Sequence, residues 1–169
     1  MNSHKNSQKG FTILVAVVTA GILLIVAMSI GGVALKEQVL STANKESQTA
    51  FYAADTGMEC ALYWDQKRGA FTKDENGNPS PLLASSVCNG VNLSPETDGT
   101  GTAYSYKFMI SGIKVGDGGA TTCSVVKVDK DTNYQDGSVI RTKTDIYAYG
   151  YNTCEPSLSR LERGIEGRY

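Results

Sequence analysis

The chain has 169 residues, of which 41% are hydrophobic and 20% are charged, and its formal net charge is −1. This charge balance disfavours a protein that binds nucleic acid, because nucleic-acid-binding faces are typically rich in Lys and Arg. The single histidine, His4, lies among the first ten residues. A Ser/His or Cys/His catalytic pair and a histidine metal site are therefore not expected in the body of the chain, which shows no internal repeat and no second domain.

The N-terminal region combines a short basic leader with a long apolar segment. Lys5 and Lys9 precede a stretch, 10–35, that contains no charged residue. About 20 apolar residues in a helix are enough to cross the hydrocarbon core of a bilayer. A secretory signal would instead have a shorter apolar region followed by a small-residue cleavage site. We therefore predict a leader at 1–10 and a transmembrane helix at 11–35.

The charges on either side of this segment predict its orientation. Lys5 and Lys9 lie on the N-terminal side, whereas Lys36 and Glu37 balance each other on the other side. Cytoplasmic flanks carry the excess of Lys and Arg. We expect a single-pass protein of the cytoplasmic (inner) membrane, with its N-terminus inside and the rest of the chain outside.

The sequence Lys9-Gly10-Phe11-Thr12, set between the basic leader and the uncharged helix, resembles the processing site of the type IV pilin family. In that family, prepilin peptidase cuts after the glycine, and the phenylalanine becomes the N-methylated first residue. The resemblance implies that Gly10 and Phe11 form the processing site. Loss of the leader would leave 14 of the 16 basic residues against 17 acidic ones, a net charge of about −3. The resemblance also implies that the apolar helix first anchors the subunit and later packs against other pilin subunits.

Val15 departs from the usual pattern of that family. Most pilins carry a glutamate at this position, the fifth after the cut, where it is thought to pair with the N-terminal amine of a neighbouring subunit. The same absence is found among PilX-like minor subunits and tip-initiating pseudopilins, which implies a position with no neighbour above it. The alternative is that Val15 is an ordinary lipid-facing residue of a simple anchor.

Small and apolar residues recur three or four positions apart beyond the apolar segment, which predicts an amphipathic continuation of the helix. We place the whole helix at 11–66 and expect Phe51, Met58 and Leu62 to pack on the head. The stretch 50–59, AFYAADTGME, resembles the corresponding part of PilX-like proteins. This is the second feature that relates the chain to that group.

Residues 67–169 are expected to form an extracytoplasmic head. Its first part is polar and turn-rich, with one short apolar patch at 82–84 and a further loop at 95–102. Alternating aromatic and β-branched residues predict strands at 104–115, 121–128 and 139–151, a turn at 129–137, and a short edge strand at 160–166. We therefore predict an α+β fold in which the long N-terminal helix packs against a small antiparallel sheet, as in pilins.

Four cysteines lie on the predicted outer side of the membrane: Cys60, Cys88, Cys123 and Cys154. We predict two disulfides, since a small head has a modest core and four cysteines allow three connectivities. We prefer Cys60 with Cys88, which fastens a loop to the helix end, and Cys123 with Cys154, which fastens the exit of a strand to the sheet. A structural zinc site is disfavoured because no two cysteines have metal-ligand spacing.

The predicted turn contains four oxygen-bearing residues at spacings similar to those of a calcium loop: Asp129, Asp131, Asn133 and Asp136. However, Tyr134 stands where such a loop needs glycine, and Ile140 where it needs a bidentate glutamate. A solvated turn is therefore preferred.

The glycines at 116–119 follow no phosphate-loop pattern and are interpreted as a hairpin connection. Since no catalytic or ligand-binding motif is found elsewhere in the sequence, we expect no cofactor, no small-molecule substrate and no enzyme activity.

Together these features predict a minor type IV pilin, similar to the PilX group, that is inserted in the membrane and then assembled into, or initiates, a pilus at the cell surface. Its expected partners are prepilin peptidase and other pilin subunits, and nucleic acid is not expected among them. One alternative within the superfamily is a type II secretion pseudopilin. The alternative of another class is a membrane-anchored extracytoplasmic binding module that never enters a filament.

Overall fold

A computed structural model describes residues 7–82, 86–115 and 121–169, with side chains from residue 11 onward. Three predicted features lie wholly or partly outside these ranges: the first six leader residues, the apolar patch at 82–84 and the glycine-containing connection at 116–119. The chain divides into two compact units, Met1–Asn44 and Lys45–Tyr169.

Helix α1 covers Ser7–Leu62 and is followed by a π-helical turn, Tyr63–Lys67. The sequence of α1 contains no proline, which would interrupt its hydrogen bonding. At the far end, Gly69 adopts a positive φ of 57°, and its amide donates to the Asp65 carbonyl oxygen at 3.0 Å. The Ala70 amide donates to the Trp64 carbonyl oxygen at 2.9 Å. The final carbonyl groups are thus satisfied while the chain turns away, as is common at helix ends.

The strands after the helix form a small ribbon and a larger sheet. The ribbon pairs β1 (Val87–Cys88) with β2 (Val91–Asn92). The sheet has five antiparallel strands in chain order: β3 (Glu96–Thr100), β4 (Ala103–Lys114), β5 (Thr121–Asp136), β6 (Val139–Tyr151) and β7 (Glu162–Arg168). A long apolar helix with a small antiparallel sheet is the predicted α+β arrangement, which the structure confirms.

Two expectations about the sheet were wrong. Part of the predicted loop at 95–102 is the edge strand β3, whose residues are all exposed. An edge strand that buries nothing leaves no hydrophobic alternation to detect in the sequence. Strand β5 also continues through the predicted turn at 129–137, because the chain reverses only at Gly137, where φ is 64°. Pairing with β6 keeps the polar residues before Gly137 extended.

The helix backbone comes very close to the inner face of the sheet within Lys45–Tyr169. Ala50, Ala53 and Ala54 are fully buried at this contact. Facing them on β6, Gly150 leaves so little space that an added Cβ would be 2.1 Å from the Ala50 carbonyl oxygen. An added Cβ on Gly57 would collide in the same way with a β5 side chain. Small residues on both elements therefore fix the distance between helix and sheet.

This close approach changes the expected packing of the helix. Met58 is buried and Leu62 packs against the core, as predicted, but Phe51 is 48% exposed. Opposite Gly150, the face that meets the sheet has room only for small residues such as Ala50. Phe51 instead makes an edge contact with the adjacent Tyr52, with ring centroids 6.2 Å apart.

Aromatic residues fill the core where the helix ends. The Phe71 ring lies 5.1 Å from that of Tyr106 and 5.9 Å from that of Phe108. The Tyr106 hydroxyl donates to the Ser80 carbonyl oxygen at 2.9 Å and also contacts that of Thr72. These contacts hold the turn-rich segment after the helix over the edge of the sheet.

Candidate functional site

The first candidate site is the apolar part of α1. Among the described residues, one helix, Phe11–Lys67, is long and apolar enough to cross a membrane. The mean hydropathy of its 18-residue window is 2.9, and none of that window is buried. A core helix of a soluble protein would be mostly buried, whereas a signal sequence near the N-terminus would meet the same criteria. The segment is therefore a candidate membrane span on length and composition.

Hydroxyl groups within this segment are satisfied by the helix itself. The Thr19 hydroxyl donates to the Val15 carbonyl oxygen at 2.9 Å, and the Ser29 hydroxyl donates to the Ile25 carbonyl oxygen at 3.0 Å. A polar group in hydrocarbon is costly unless it has a partner. These two side chains could therefore face lipid without losing a hydrogen bond.

The predicted processing residues lie near the start of α1. Gly10 and Phe11 are helical, and the Phe11 side chain is exposed. Val15 follows one turn later, and its side chain is also exposed. The assignment of Gly10–Phe11 to processing and of Val15 to assembly stays a prediction.

One of the two preferred cysteine pairings is present as a bond. Cys60, near the end of α1, forms a disulfide with Cys88 of β1, and their Cα atoms are 6.1 Å apart. This distance lies within the usual range for a disulfide. The bridge fastens the ribbon to the helix, next to the Trp64 indole, which donates to the Val87 carbonyl oxygen at 3.3 Å.

The other preferred pair, Cys123 and Cys154, is not bonded in the structure. The Cys154 thiol nevertheless lies 4.0 Å from the carbonyl oxygen of Thr121, two residues before Cys123 on the same strand, and the two thiols interact electrostatically. Cys123 is buried on β5, and Cys154 is partly exposed just after β6. The prediction of two bridges thus corresponds to one bridge and one pair of adjacent thiols, and the second bridge stays a prediction.

The four calcium candidates do not form a loop, because they lie along strand β5. Asp129 is paired with Lys127 at 2.8 Å, and Asp136 lies 3.9 Å from Arg141. Asp131 accepts a hydrogen bond from the Asn133 amide at 2.9 Å, beside an irregularity in the pairing of β5 with β6. Within the described ranges, no group of three or more His, Cys, Asp or Glu side chains is placed to hold a metal ion.

Charged and aromatic residues cover the outer face of the sheet, which is turned away from the helix. One shallow depression of about 390 Å³ is bordered by Lys127, Lys143 and several aspartates of β3, β5 and β6. A second, of the same volume, is lined by Lys107, Val125, Lys127, Tyr149, Tyr151 and Glu162. Lys127 is already paired with Asp129. Cation and anion are interspersed here, so this face carries no strong charge of one sign.

Asp145, on strand β6, forms two charged contacts. Lys143 lies 2.7 Å from its carboxylate, and Arg168 of β7 also donates to it. Burial alone would raise the pKa of Asp145, but the hydrogen bonds from Lys143 and Arg168 outweigh burial and lower the pKa. Asp145 is therefore ionised in the folded protein over the whole neutral range.

The structure contains a buried polar cluster beyond the helix that sequence patterns do not predict. Lys130 of β5 lies 2.6 Å from Asp65 in the π-helical turn, and both side chains are more than 90% buried. The Tyr169 hydroxyl donates to the same carboxylate oxygen. Burial, followed by this hydrogen bond to Asp65, raises the pKa of Tyr169. Asp65 and Lys130 are 65 residues apart, and each has polar neighbours in the sequence. No local pattern therefore predicts their pairing.

Comparisons of the chain with models of protein families, with curated proteins and with solved structures find no match.

Proposed function

We propose that this protein is a minor type IV pilin, similar to the PilX group, which is inserted in the membrane and is assembled into, or initiates, a pilus filament. The observation that carries the proposal is the beginning of α1. There, a Gly10–Phe11 motif behind a basic leader opens an uncharged and exposed helix. The same helix continues to Leu62, and its outer part packs on an antiparallel sheet.

The physical properties of the helix support this role. At about 1.5 Å per residue, the segment 11–35 is about 37 Å long, enough for a hydrocarbon core of about 30 Å. Its exposed apolar side chains can exchange lipid for similar helices, so a subunit can move from membrane to filament with little change in apolar burial. The basic leader would stay in the cytoplasm, where prepilin peptidase would cut it.

Val15 refines the proposed position of the subunit. A subunit at the tip has no neighbour above it, and a missing carboxylate is less costly there. Val15→Glu would place a carboxylate at the family's usual position. We expect this variant to enter filament shafts in larger amounts than the wild-type chain, as measured by immunogold labelling along the filaments. Labelling that stays confined to the ends in both proteins would contradict this part of the proposal.

The decisive experiment is an intact-mass and N-terminal analysis of the full chain, extracted from membranes with and without prepilin peptidase. We expect a peptidase-dependent loss of residues 1–10 and a methyl group on Phe11. Gly10→Val is the matched control. This variant keeps the basic leader and the apolar helix but removes the small residue before the cut, so it should stay unprocessed in the membrane.

The outcomes separate the candidate functions. A leader that stays intact in the presence of an active peptidase would overturn the pilin proposal and leave a membrane-anchored binding module. Processing followed by recovery in surface filaments would support a pilus subunit. Processing without surface filaments, in cells with a secretion apparatus that requires the chain, would support the type II secretion pseudopilin instead.

A further inference from the structure

The Cys123 and Cys154 thiols lie side by side but differ in their access to solvent. The Cys123 side chain is 1% exposed on β5, whereas Cys154 is partly exposed. Cys123 is paired across the sheet with Tyr151, three residues before Cys154, and the Cys154 thiol lies 4.0 Å from the Thr121 carbonyl oxygen. A reagent from solution can therefore reach one sulfur directly and the other only if the structure opens.

Noncovalent contacts hold the segment around Cys154 in place. The Leu161 amide donates to the Asn152 side-chain oxygen at 2.7 Å, and the Asn152 amide donates to the Leu161 carbonyl oxygen at 3.2 Å. The Arg160 guanidinium lies 3.7 Å above the Tyr151 ring centroid. Asn152 thus closes the loop that contains Cys154, and the two sulfurs are brought together before any bond forms between them.

We propose that Cys123 and Cys154 form a thiol–disulfide exchange site with a fixed order of reaction, in which Cys154 is the entry thiol and Cys123 is the resolving thiol. The sequence predicts only that these two cysteines pair, whereas the structure gives them different roles. The assignment does not depend on the proposed filament function, because it rests on access and contact within the head.

The oxidant is a low-molecular-weight disulfide such as oxidised glutathione. The Cys154 thiolate attacks one of its sulfurs, its S–S bond breaks, and one glutathione leaves as a thiolate that takes up a proton. The Cys123 sulfur then attacks the Cys154 sulfur and passes its proton to the departing sulfur, so that the second glutathione leaves as a thiol. Two protein thiols are oxidised to one disulfide, while one glutathione disulfide is reduced to two thiols.

The raised pKa of the Cys123 thiol makes the closed bridge resistant to reduction. Burial, followed by the hydrogen bond to Cys154, raises the pKa of Cys123 to about 12. A reductant can reach only the Cys154 sulfur, so it must expel Cys123 as the leaving thiolate. Leaving thiols of high pKa depart slowly. The bridge therefore forms by reaction of the exposed Cys154 sulfur with the oxidant. Its reduction through the same sulfur is slow.

The test compares two single variants of the full chain in detergent, Cys123→Ser and Cys154→Ser, each with the Cys60–Cys88 bridge intact. Both are treated with oxidised glutathione, quenched with acid and analysed by peptide mass. We expect an adduct to accumulate on Cys154 in the first variant. Cys123 in the second variant should react at least about a hundredfold more slowly, because its reaction requires local opening of the structure.

The reduced wild-type pair should carry an adduct on Cys154 only transiently and then lose two hydrogens as the bridge closes. Cys154→Ser unfolded in guanidinium is the control, and there Cys123 should react at the rate of an ordinary thiol. Equal rates in the two folded variants, or a first adduct on Cys123 in the wild-type chain, would overturn the proposal. If either variant loses its near-UV circular dichroism, the position of the first adduct in the wild-type chain decides the question.

Discussion

At Gly150, the lack of a side chain allows strand β6 to touch the backbone of the helix. An added Cβ would lie 2.1 Å from the Ala50 carbonyl oxygen and 2.2 Å from the Ala54 amide nitrogen. Both are backbone atoms of a helix and cannot rotate away. The position therefore controls the separation between the helix and the sheet.

We predict that Gly150→Ala lowers the free energy of unfolding by about 3 kcal/mol, because overpacking here must displace the backbone. Urea unfolding monitored by circular dichroism measures this change. Gly164→Ala is the control, since its Cβ would meet only the Tyr149 ring, at 3.3 Å. That ring can shift, so a cost below about 1 kcal/mol is expected. Equal losses in both variants would contradict this account of the helix–sheet contact.

Asp145 makes the stability of the head depend on pH. Its pKa is lowered in the folded protein because the hydrogen bonds from Lys143 and Arg168 outweigh burial. The stabilisation is therefore fully present above the pKa of the unfolded chain, about 3.9, and is lost as the pH falls through the lower folded pKa. We expect the unfolding midpoint of the wild-type chain to fall more between about pH 6 and pH 2 than that of Asp145→Asn. If the unfolding midpoints of the two proteins changed equally over this pH range, Asp145 would not contribute to the pH dependence of stability.

At the scale of elements, the buried Asp65–Lys130 pair joins the end of the helix to strand β5. The tyrosine at 169 shares the Asp65 carboxylate, and its backbone exchanges hydrogen bonds with Thr144 of β6 at 2.8 and 3.1 Å. A single carboxylate therefore connects the helix, the middle of the sheet and the residues after β7. Breaking this cluster should affect all three elements together.

We predict that Asp65→Ala destabilises the chain by about 3 to 5 kcal/mol, because it leaves the Lys130 ammonium buried without its partner. The double variant Asp65→Leu with Lys130→Met should cost less than Asp65→Ala, since it removes both charges. The control is Arg141→Ala at the exposed pair with Asp136, where a loss below about 1 kcal/mol is expected. Denaturant unfolding measures the free energy of unfolding of these three variants. A double variant less stable than Asp65→Ala would contradict the assignment of the loss to an unpaired buried charge.

At the scale of the whole molecule, the buried core belongs to one of the two units. The buried hydrophobic residues of the described chain all lie between Ala50 and Ala148, within Lys45–Tyr169. The large apolar residues of the first unit, from Phe11 to Leu40, are exposed. The folded core and the candidate membrane span thus occupy separate parts of the sequence.

We predict that a chain that starts at Lys45 folds by itself and remains in solution without detergent, since it keeps the core and loses the apolar segment. A chain that lacks only residues 1–10 should still be recovered in membranes. Membrane fractionation and thermal unfolding test both. A truncated head that aggregates or lacks a cooperative transition would show that the core needs the removed residues.

The sequence by itself determined the features that depend on neighbouring residues. The uncharged stretch 11–35 specified a long apolar helix, and alternation over 139–151 specified strand β6, because both patterns repeat within a few positions. The Cys60–Cys88 pairing was only a preference among three possible connectivities, and the structure shows it as a bond. Edge strand β3 was not predicted. Its residues are all exposed, so it is held by backbone hydrogen bonds and shows no hydrophobic alternation in the sequence.

Only the tertiary structure decided the contacts between residues that are distant in the sequence. The pairing of Asp65 with Lys130 and the contact of Gly150 with Ala50 depend on how the helix lies on the sheet, which no local pattern encodes. The same holds for Cys123 and Cys154: their even number and predicted location suggested a bridge, but their unequal exposure appears only in the folded chain. Local periodicity in the sequence determines the helices and strands. Tertiary packing determines which side chains contact each other and which are exposed to water.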